Sequence, residues 1–311
     1  MTRFGKPLGA DDLSVSCENL NRLDARQARL FNSRSVLIRE LAYSICRGGE
    51  ASADEIRINY FEAFPTRDEN EKYFGGISVT ERIEVCIEID SIMGKKNALS
   101  RAALGQGEPC PMGARDKISY VKNNFTNSAY LSFSKLLHSP RFAYSDSFET
   151  MCEDVFNGES EFCILPIETS TDGRLFSFFS LIDRYELRTC AVCSVERDGG
   201  ASFTRFALLK RSFSDENLEG DVFEKSTAIE LRISHPASMG ASISTIFRAA
   251  DVCGMPLYRV DSLPLPYGDS LLSHYAVFGI CKEKLQGFLT YISLEFPQCY
   301  VSGIYSQAAS V

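Results

Sequence analysis

Residues 161–206 read EFCILPIETSTDGRLFSFFSLIDRYELRTCAVCSVERDGGASFTRF, and the division of this stretch into elements decides the fold. The apolar run from Phe162 to Ile167 has the length and composition of a buried strand. It ends in Glu168, Thr169, Ser170 and Thr171, a carboxylate followed by three hydroxyls, at the kind of strand end where open α/β sheets place ligands. Beyond Gly173 the pattern predicts a helix over Leu175–Arg184 and a strand over Leu187–Val195. A hairpin turn follows at Asp198-Gly199-Gly200, then a return strand over Phe203–Lys210 that carries Thr204-Arg205-Phe206. A second reading of the polar tetrad stands beside the ligand-contact one. Ser170 or Thr171 would accept from the first amides of the following helix, with Asp172 complementing its dipole.

Upstream, Lys117–Val121 (strand), Ala129–Leu137 (helix), Phe142–Ser145 (strand), Ser147–Phe156 (helix) and Glu161–Ile167 (strand) give a β-α-β-α-β unit. A Gly- and Pro-rich linker, Ala103–Arg115, precedes it. Before the linker the chain reads as helical. After a loose leader to about residue 12, apolar residues recur at Leu23, Leu30, Leu37 and at Phe31, Ile38, Ile45, the double stripe of one long packed helix. Helices over Ala53–Phe64 and Val79–Met93 follow, the latter turning Ile83, Val85, Ile87, Ile89 and Ile92 inward. Downstream of a charged loop, Ser212–Lys225, come Ala228–Ser234 (strand), Gly240–Cys253 (helix), Leu257–Ser262 and Ser273–Cys281 (strands), Lys284–Phe296 (helix) and Tyr300–Tyr305 (strand). That β-α-β-β-α-β order is ferredoxin-like.

At 311 residues with 44% hydrophobic content, the chain is long enough for two or three domains with real cores. A net charge of -8 opposes binding to nucleic acid phosphates or an anionic membrane. No apolar run approaches the ~18 residues of a membrane span and the N-terminus has no apolar signal segment, so a cytoplasmic protein is expected. Eleven cysteines scattered among apolar positions read as free, reduced, buried thiols. Cys190 and Cys193 lie three apart in a strand, which sends the thiols to opposite faces; the histidines are His138, His235 and His274, and neither a metal site nor a cofactor is expected.

The segment Ile164–Gly173 resembles the prephenate dehydratase signature, in which Pro-Ile-Glu is followed by Asn-Ser and a glycine, and Thr204-Arg205-Phe206 matches that family's Thr-Arg-Phe. The resemblance implies a lyase of the phenylalanine branch that removes water and carbon dioxide from prephenate. Thr204 would assist loss of the ring hydroxyl, Arg205 would hold or polarise a carboxylate, and Glu168, Thr169, Ser170 and, in the first turn, Ser128 would contact the ligand. Two departures stand out. Lys122 and Phe125 occupy the family's glycine positions in that first turn. The 30 residues between Gly173 and Thr204 are used by a helix and a hairpin, where the family inserts a second lobe of about 50 residues or more.

The three leading helices resemble the chorismate mutase domain of the fused mutase-dehydratase proteins, with Asp24, Arg34, Asp54, Arg57, Asp90-Ser91 and Lys95 at the matching positions. Such a catalyst needs cations that grip two carboxylates and stabilise charge at a breaking ether bond. Here Cys17, Ile45 and Ile58 stand where the family has charged residues, and Arg47 is turned to another face from position 45. Arg34, Arg57 and Asp54 also read as an interhelical salt-bridge group.

The last unit, with Met239-Gly240-Ala241 at a helix start and Asp261-Ser262-Leu263-Pro264 at a strand end, resembles the ACT domain through which dehydratases sense phenylalanine. Gly240, Ala241, Asp261 and Ser262 would then bind the effector; the family's arginine is Leu263. Domains of this kind pair edge to edge, which implies a homodimer. The expected architecture is multidomain α and α/β: a helical chorismate-mutase-like domain (13–102), a truncated single-lobe dehydratase-like α/β domain (116–212) and a ferredoxin-like ACT domain (226–306). The expected function is a catalytically degenerate member acting as an amino-acid-binding or regulatory protein, with phenylalanine as first effector candidate and prephenate as a further ligand. The alternatives are a working dehydratase completed by another subunit and mutase activity retained through Arg34, Arg57 and Lys95.

Overall fold

The computed structural model describes residues 10–64, 77–104, 113–137, 139–213, 226–234, 243–264 and 272–307. The apolar stripes of the first hundred residues become α1 (Ala10–Ile45), α2 (Ala53–Ala63), α3 (Ile77–Met93) and a short α4 (Ala98–Leu104). Ser52 starts α2 with a reciprocal cap: its hydroxyl accepts from Glu55 N at 3.3 Å and Glu55 accepts from Ser52 N at 2.9 Å. Three expectations need correction. Helix is present from Ala10, inside the supposed leader, and Ala103 and Leu104, expected in the linker, belong to α4, where both are buried. Among its described side chains, the long helix is packed only over its C-terminal part. Ala42, Ile45 and Cys46 are buried and Ile38 and Leu41 partly so, whereas Leu20, Leu23, Leu30, Phe31 and Leu37 remain exposed. Length is the reason: α1 has 36 residues, roughly 54 Å, and α3, which it packs on, has 17, roughly 25 Å.

The strands β1 (Lys117–Val121), β2 (Arg141–Ser145), β3 (Phe162–Thr169), β4 (Gly173–Arg174), β5 (Arg188–Arg197), β6 (Ser202–Lys210), β7 (Ala228–Ser234), β8 (Leu257–Pro264), β9 (Leu272–Gly279) and β10 (Cys299–Gln307) form one ten-stranded sheet. Its order is β2-β1-β3-β6-β5-β10-β7-β9-β8, with β4 paired to β3. The seam between the second and third regions is the parallel pairing of β5 with β10, and Gly303 sits on it. A side chain at Gly303 would place Cβ 2.9 Å from Thr189 Cβ, so close approach of the two strands requires glycine there. The helices that complete this part are α5 (Asn124–Ser134), α6 (Phe148–Phe156), α7 (Phe176–Arg184), α8 (Ile243–Val252) and α9 (Lys282–Glu295).

The helical region is fastened to α9. Gly287 lets that helix approach α3 so closely that an added Cβ would lie 2.7 Å from Ile87 Cα. Beside this contact Arg82 Nη1 pairs with Glu295 Oε1 at 2.6 Å, Tyr60 donates its hydroxyl to the same oxygen at 2.8 Å, and Asn97 donates to Thr290 at 2.8 Å. A buried ion pair of this kind is tolerated because both partners are hydrogen-bonded and desolvated together. Among the described residues no helix is long and apolar enough to cross a membrane.

Candidate functional site

The polar end of β3 is shaped by Pro166. Proline has no N–H for the ladder, and the register with β6 shifts between Pro166 and Glu168. The shift sets Glu168 opposite Arg205 and Thr169 opposite Thr204. The strand therefore runs on through Thr169, and the helix-cap reading of the tetrad is overturned: α7 starts at Phe176 behind Leu175, which caps nothing with its side chain. The hydroxyls close a tight return to β4. Asp172 N donates to Thr169 Oγ1 at 3.0 Å, Thr169 Oγ1 donates to Asp172 Oδ2 at 2.9 Å, and Phe203 N donates to Ser170 Oγ at 3.2 Å.

On this frame lies an alternating row of charges. Arg205 Nη1 pairs with Glu168 Oε2 at 2.9 Å, and Arg259 Nη1 holds the other oxygen, Oε1, at 2.7 Å. Arg259 Nε then reaches Asp261 Oδ2 at 2.7 Å, Arg174 Nε meets the same oxygen at 2.7 Å, and Arg174 Nη1 ends the row on Glu230 Oε1 at 2.7 Å. Three guanidiniums thus face three carboxylates, drawn from β6, β3, β8, β4 and β7, with no formal charge left over. Arg174 is nearly enclosed and lies over the rings of Phe179 and Tyr275, 4.9 and 5.6 Å from their centroids. Burial works against its charge, but Glu230 and Asp261 outweigh it and raise the guanidinium above its ordinary range. The same opposition, with Glu168 and Asp261 prevailing, raises Arg259. Burial and then Glu230 hold the Tyr305 phenol neutral.

The predicted dehydratase-like residues are therefore partly assembled. Glu168, Thr169, Ser170, Thr204 and Arg205 meet at the β3–β6 pairing, and Asp261 of the predicted effector set joins them through Arg259. Thr204 is only 4% exposed, in a strand flanked by β3 and β5. Ser128 makes no side-chain hydrogen bond to them among the described residues. The helix expected from Ala129 begins at Asn124, because Asn123 accepts from Phe125 N and Thr126 N at 3.0 and 2.9 Å as its cap. Ser128 is consequently a helical residue whose hydroxyl donates to Asn124 O at 3.2 Å. Lys122 is exposed, its ammonium 4.9 Å from the centroid of the Tyr144 ring. Between Gly173 and Thr204 the chain forms β4, α7, β5 and the Asp198–Gly200 turn.

Ser262 shares a hydrogen bond of 2.8 Å with His274 Nδ1, while Gly240 and Ala241 lie outside the described residues. The mutase-like set is dispersed. Arg34 pairs with Glu84 of α3 at 2.6 Å, so the expected Arg34, Arg57 and Asp54 salt-bridge group is corrected; Asp54 and Arg57 are exposed on α2 and form no ion pair among the described residues. Lys95 is exposed in the turn after α3. Sequence reasoning missed Arg174, Arg259 and Glu230. The one local hint was spacing: Arg259 and Asp261, two apart on β8, share a face of the strand.

No family model and no curated protein matches the chain. Among solved structures, it is similar to a prephenate dehydratase from Streptococcus mutans at 18% identity and a TM-score of 0.49, over 63% of this chain and 99% of that one. It is also similar to an Arthrobacter aurescens prephenate dehydratase in complex with L-Phe at 13% identity and a TM-score of 0.46, over 61% of this chain and 90% of that one. GqqA, a quorum-quenching acylase, is similar at 16% identity and a TM-score of 0.45, over 61% of this chain and 95% of that one. At these scores none of the three assigns a role to a residue of this chain.

Proposed function

We propose that this chain is a catalytically silent relative of the fused chorismate mutase and prephenate dehydratase proteins, acting as an amino-acid-binding or regulatory protein of the phenylalanine branch. Its parts would be a mutase-like helical region (13–102), a single-lobe dehydratase-like region (116–212) and an ACT-like region (226–306). The order of the three motif sets along the chain supports the kinship. One observation carries the loss of catalysis: Arg205, the cation that would receive a substrate carboxylate, already holds Glu168 at 2.9 Å. Glu168 is held in turn by Arg259 at 2.7 Å, so a substrate would have to break both contacts to reach the guanidinium. Thr204 beside it is enclosed between strands, and a group that must protonate a leaving hydroxyl has to come within hydrogen-bond reach of it. Completion by another subunit would face the same obstacle.

The row Glu168–Arg259–Asp261 also favours a regulatory reading, because it connects the dehydratase-like strand pair to the strand proposed to sense an effector. Calorimetric titration of the purified chain with L-phenylalanine and L-tyrosine tests this. Binding of at least one, weakened tenfold or more by Gly240→Leu, is the expected result. Absence of heat with either amino acid would remove the amino-acid-binding function.

A further inference from the structure

We propose that the half-buried Arg188, at the seam where β5 pairs with β10, anchors a phosphate-binding site that is separate from the charge row and from the proposed amino-acid site. Arg188 opens β5, and its Nη1 donates across the seam to Val301 O of β10. Its guanidinium lies 5.8 Å from the centroid of the Tyr300 ring, and the guanidinium of Arg232 lies 5.3 Å from the same centroid. Two cations therefore share one ring. The carboxylate of this cluster is Asp183, near the end of α7, and it is already engaged. Its Oδ1 pairs with Arg232, and both its oxygens accept from the Tyr275 hydroxyl, at 3.1 and 3.2 Å. Opposite Arg188 in the β5–β6 ladder stands Lys210, so the neighbouring strand brings no anion at that position.

The comparison with its neighbours is what marks Arg188. Arg174, Arg205, Arg232 and Arg259 each hold a carboxylate, whereas Arg188 forms no ion pair among the described residues. Shielded charges are normally paired, because desolvation otherwise goes uncompensated. The surroundings act on the charges accordingly. Arg174, Arg232 and Arg259 are raised above their ordinary range, but burial lowers Arg188, and Tyr300 and Glu186 offset only part of that effect. An anion from outside would remove the penalty, and the planar guanidinium fork matches oxyanions in geometry. Two guanidiniums about one ring favour more than a single negative charge, and a phosphoryl group carries about -1.5 to -2 at pH 7. A lone carboxylate is a poorer match; Glu186, only two residues away, stays exposed. The ligand class is thus a phosphoryl group, free or on a small metabolite. Arg188 belongs to the second region, Arg232 and Tyr300 to the third, so an occupied site would tie the two together.

Thermal unfolding of the full chain with sodium phosphate, glycerol 3-phosphate or sodium acetate, each balanced with sodium chloride to equal ionic strength, tests the assignment. For a Kd of ~1 mM, ~10 mM phosphate should raise the wild-type Tm by about 3–5 °C and acetate by less than about 1 °C. Arg188→Gln should weaken phosphate binding about tenfold or more, and in chloride it should unfold within about 3 °C of wild type, because the charge it removes is unpaired there. Tighter binding of glycerol 3-phosphate than of phosphate would assign the site to a phosphomonoester, and weaker binding to the free ion. Phenylglyoxal modification of wild type is a second readout that needs no variant to fold. Phosphate at ten times its Kd should slow reaction at Arg188 about tenfold and leave the exposed Arg22 unchanged. No phosphate response in wild type, an equal response in Arg188→Gln, an equal response to acetate, or unslowed modification of Arg188 would each overturn the proposal.

Discussion

Glu168→Gln removes the one anion that Arg205 and Arg259 share while keeping the side chain's shape. The carboxylate is 13% exposed and its partners 31% and 34%, so each ion pair lies between the surface and buried regimes. Surface pairs contribute up to about 1 kcal/mol, and unpairing a fully buried charge costs about 3–5 kcal/mol. Arg259 keeps Asp261 at 2.7 Å, which moderates its share of the loss. The sum is about 2–3 kcal/mol, and at ~2–4 °C per kcal/mol the variant should unfold about 4–12 °C below wild type. Its second property is more diagnostic. With Glu168 neutral, two guanidiniums face an acceptor-poor corner, and an added carboxylate should take its place. Ligand at ten times its Kd stabilises by about 1.4 kcal/mol. Phenylpyruvate should therefore raise the Tm of the variant by about 3–5 °C while leaving wild type within 1 °C, with chloride at equal ionic strength as the control. Unchanged stability in Glu168→Gln, or an equal response of both proteins to carboxylate, would refute the reasoning that Glu168 stands in for a ligand.

Burial pushes the thiols of Cys190, Cys193, Cys253 and Cys299 up to about 12 and that of Cys46 to about 11. Folded thiols stay protonated where unfolded ones ionise, so their stabilisation is complete below about pH 9 and is lost as pH rises through the folded values, by roughly 1.4 kcal/mol per thiol at pH 10. Thermal melts should fall steeply from pH 8.5 to 10, and Cys193→Ala should flatten the slope. Gly287→Val forces a side chain against Ile87 Cα and should destabilise by about 3 kcal/mol or more, visible as an early urea transition. Arg34→Ala removes a half-exposed pair with Glu84, so a loss of about 0.5 kcal/mol is expected, and chorismate turnover should be absent before and after the change.

Much of this architecture was readable from local pattern. The strand Lys117–Val121 and the Asp198-Gly199-Gly200 turn between β5 and β6 lie where alternation and turn residues place them. Failures arose where two local rules competed. Asn123 with Thr126 three residues on is a cap signature, yet the stretch was read as a ligand turn, and the start of α5 was placed five residues late. The hydroxyls after Glu168 suit a cap or a hairpin equally, and the missing N–H of Pro166 tipped the balance by bulging β3. Periodicity showed which side of α1 is apolar but could not say where its cover ends, since that depends on the length of α3. The charge row was out of reach for another reason. Glu168 and Arg259 are separated by 91 residues, and only the pairing of β5 with β10 brings their strands into one sheet.

Prephenate turnover by the purified full chain, followed as phenylpyruvate absorbance, addresses the central claim most directly. Product formation indistinguishable from the uncatalysed background is expected, with and without Thr204→Val. Turnover above background that Thr204→Val abolishes would contradict it.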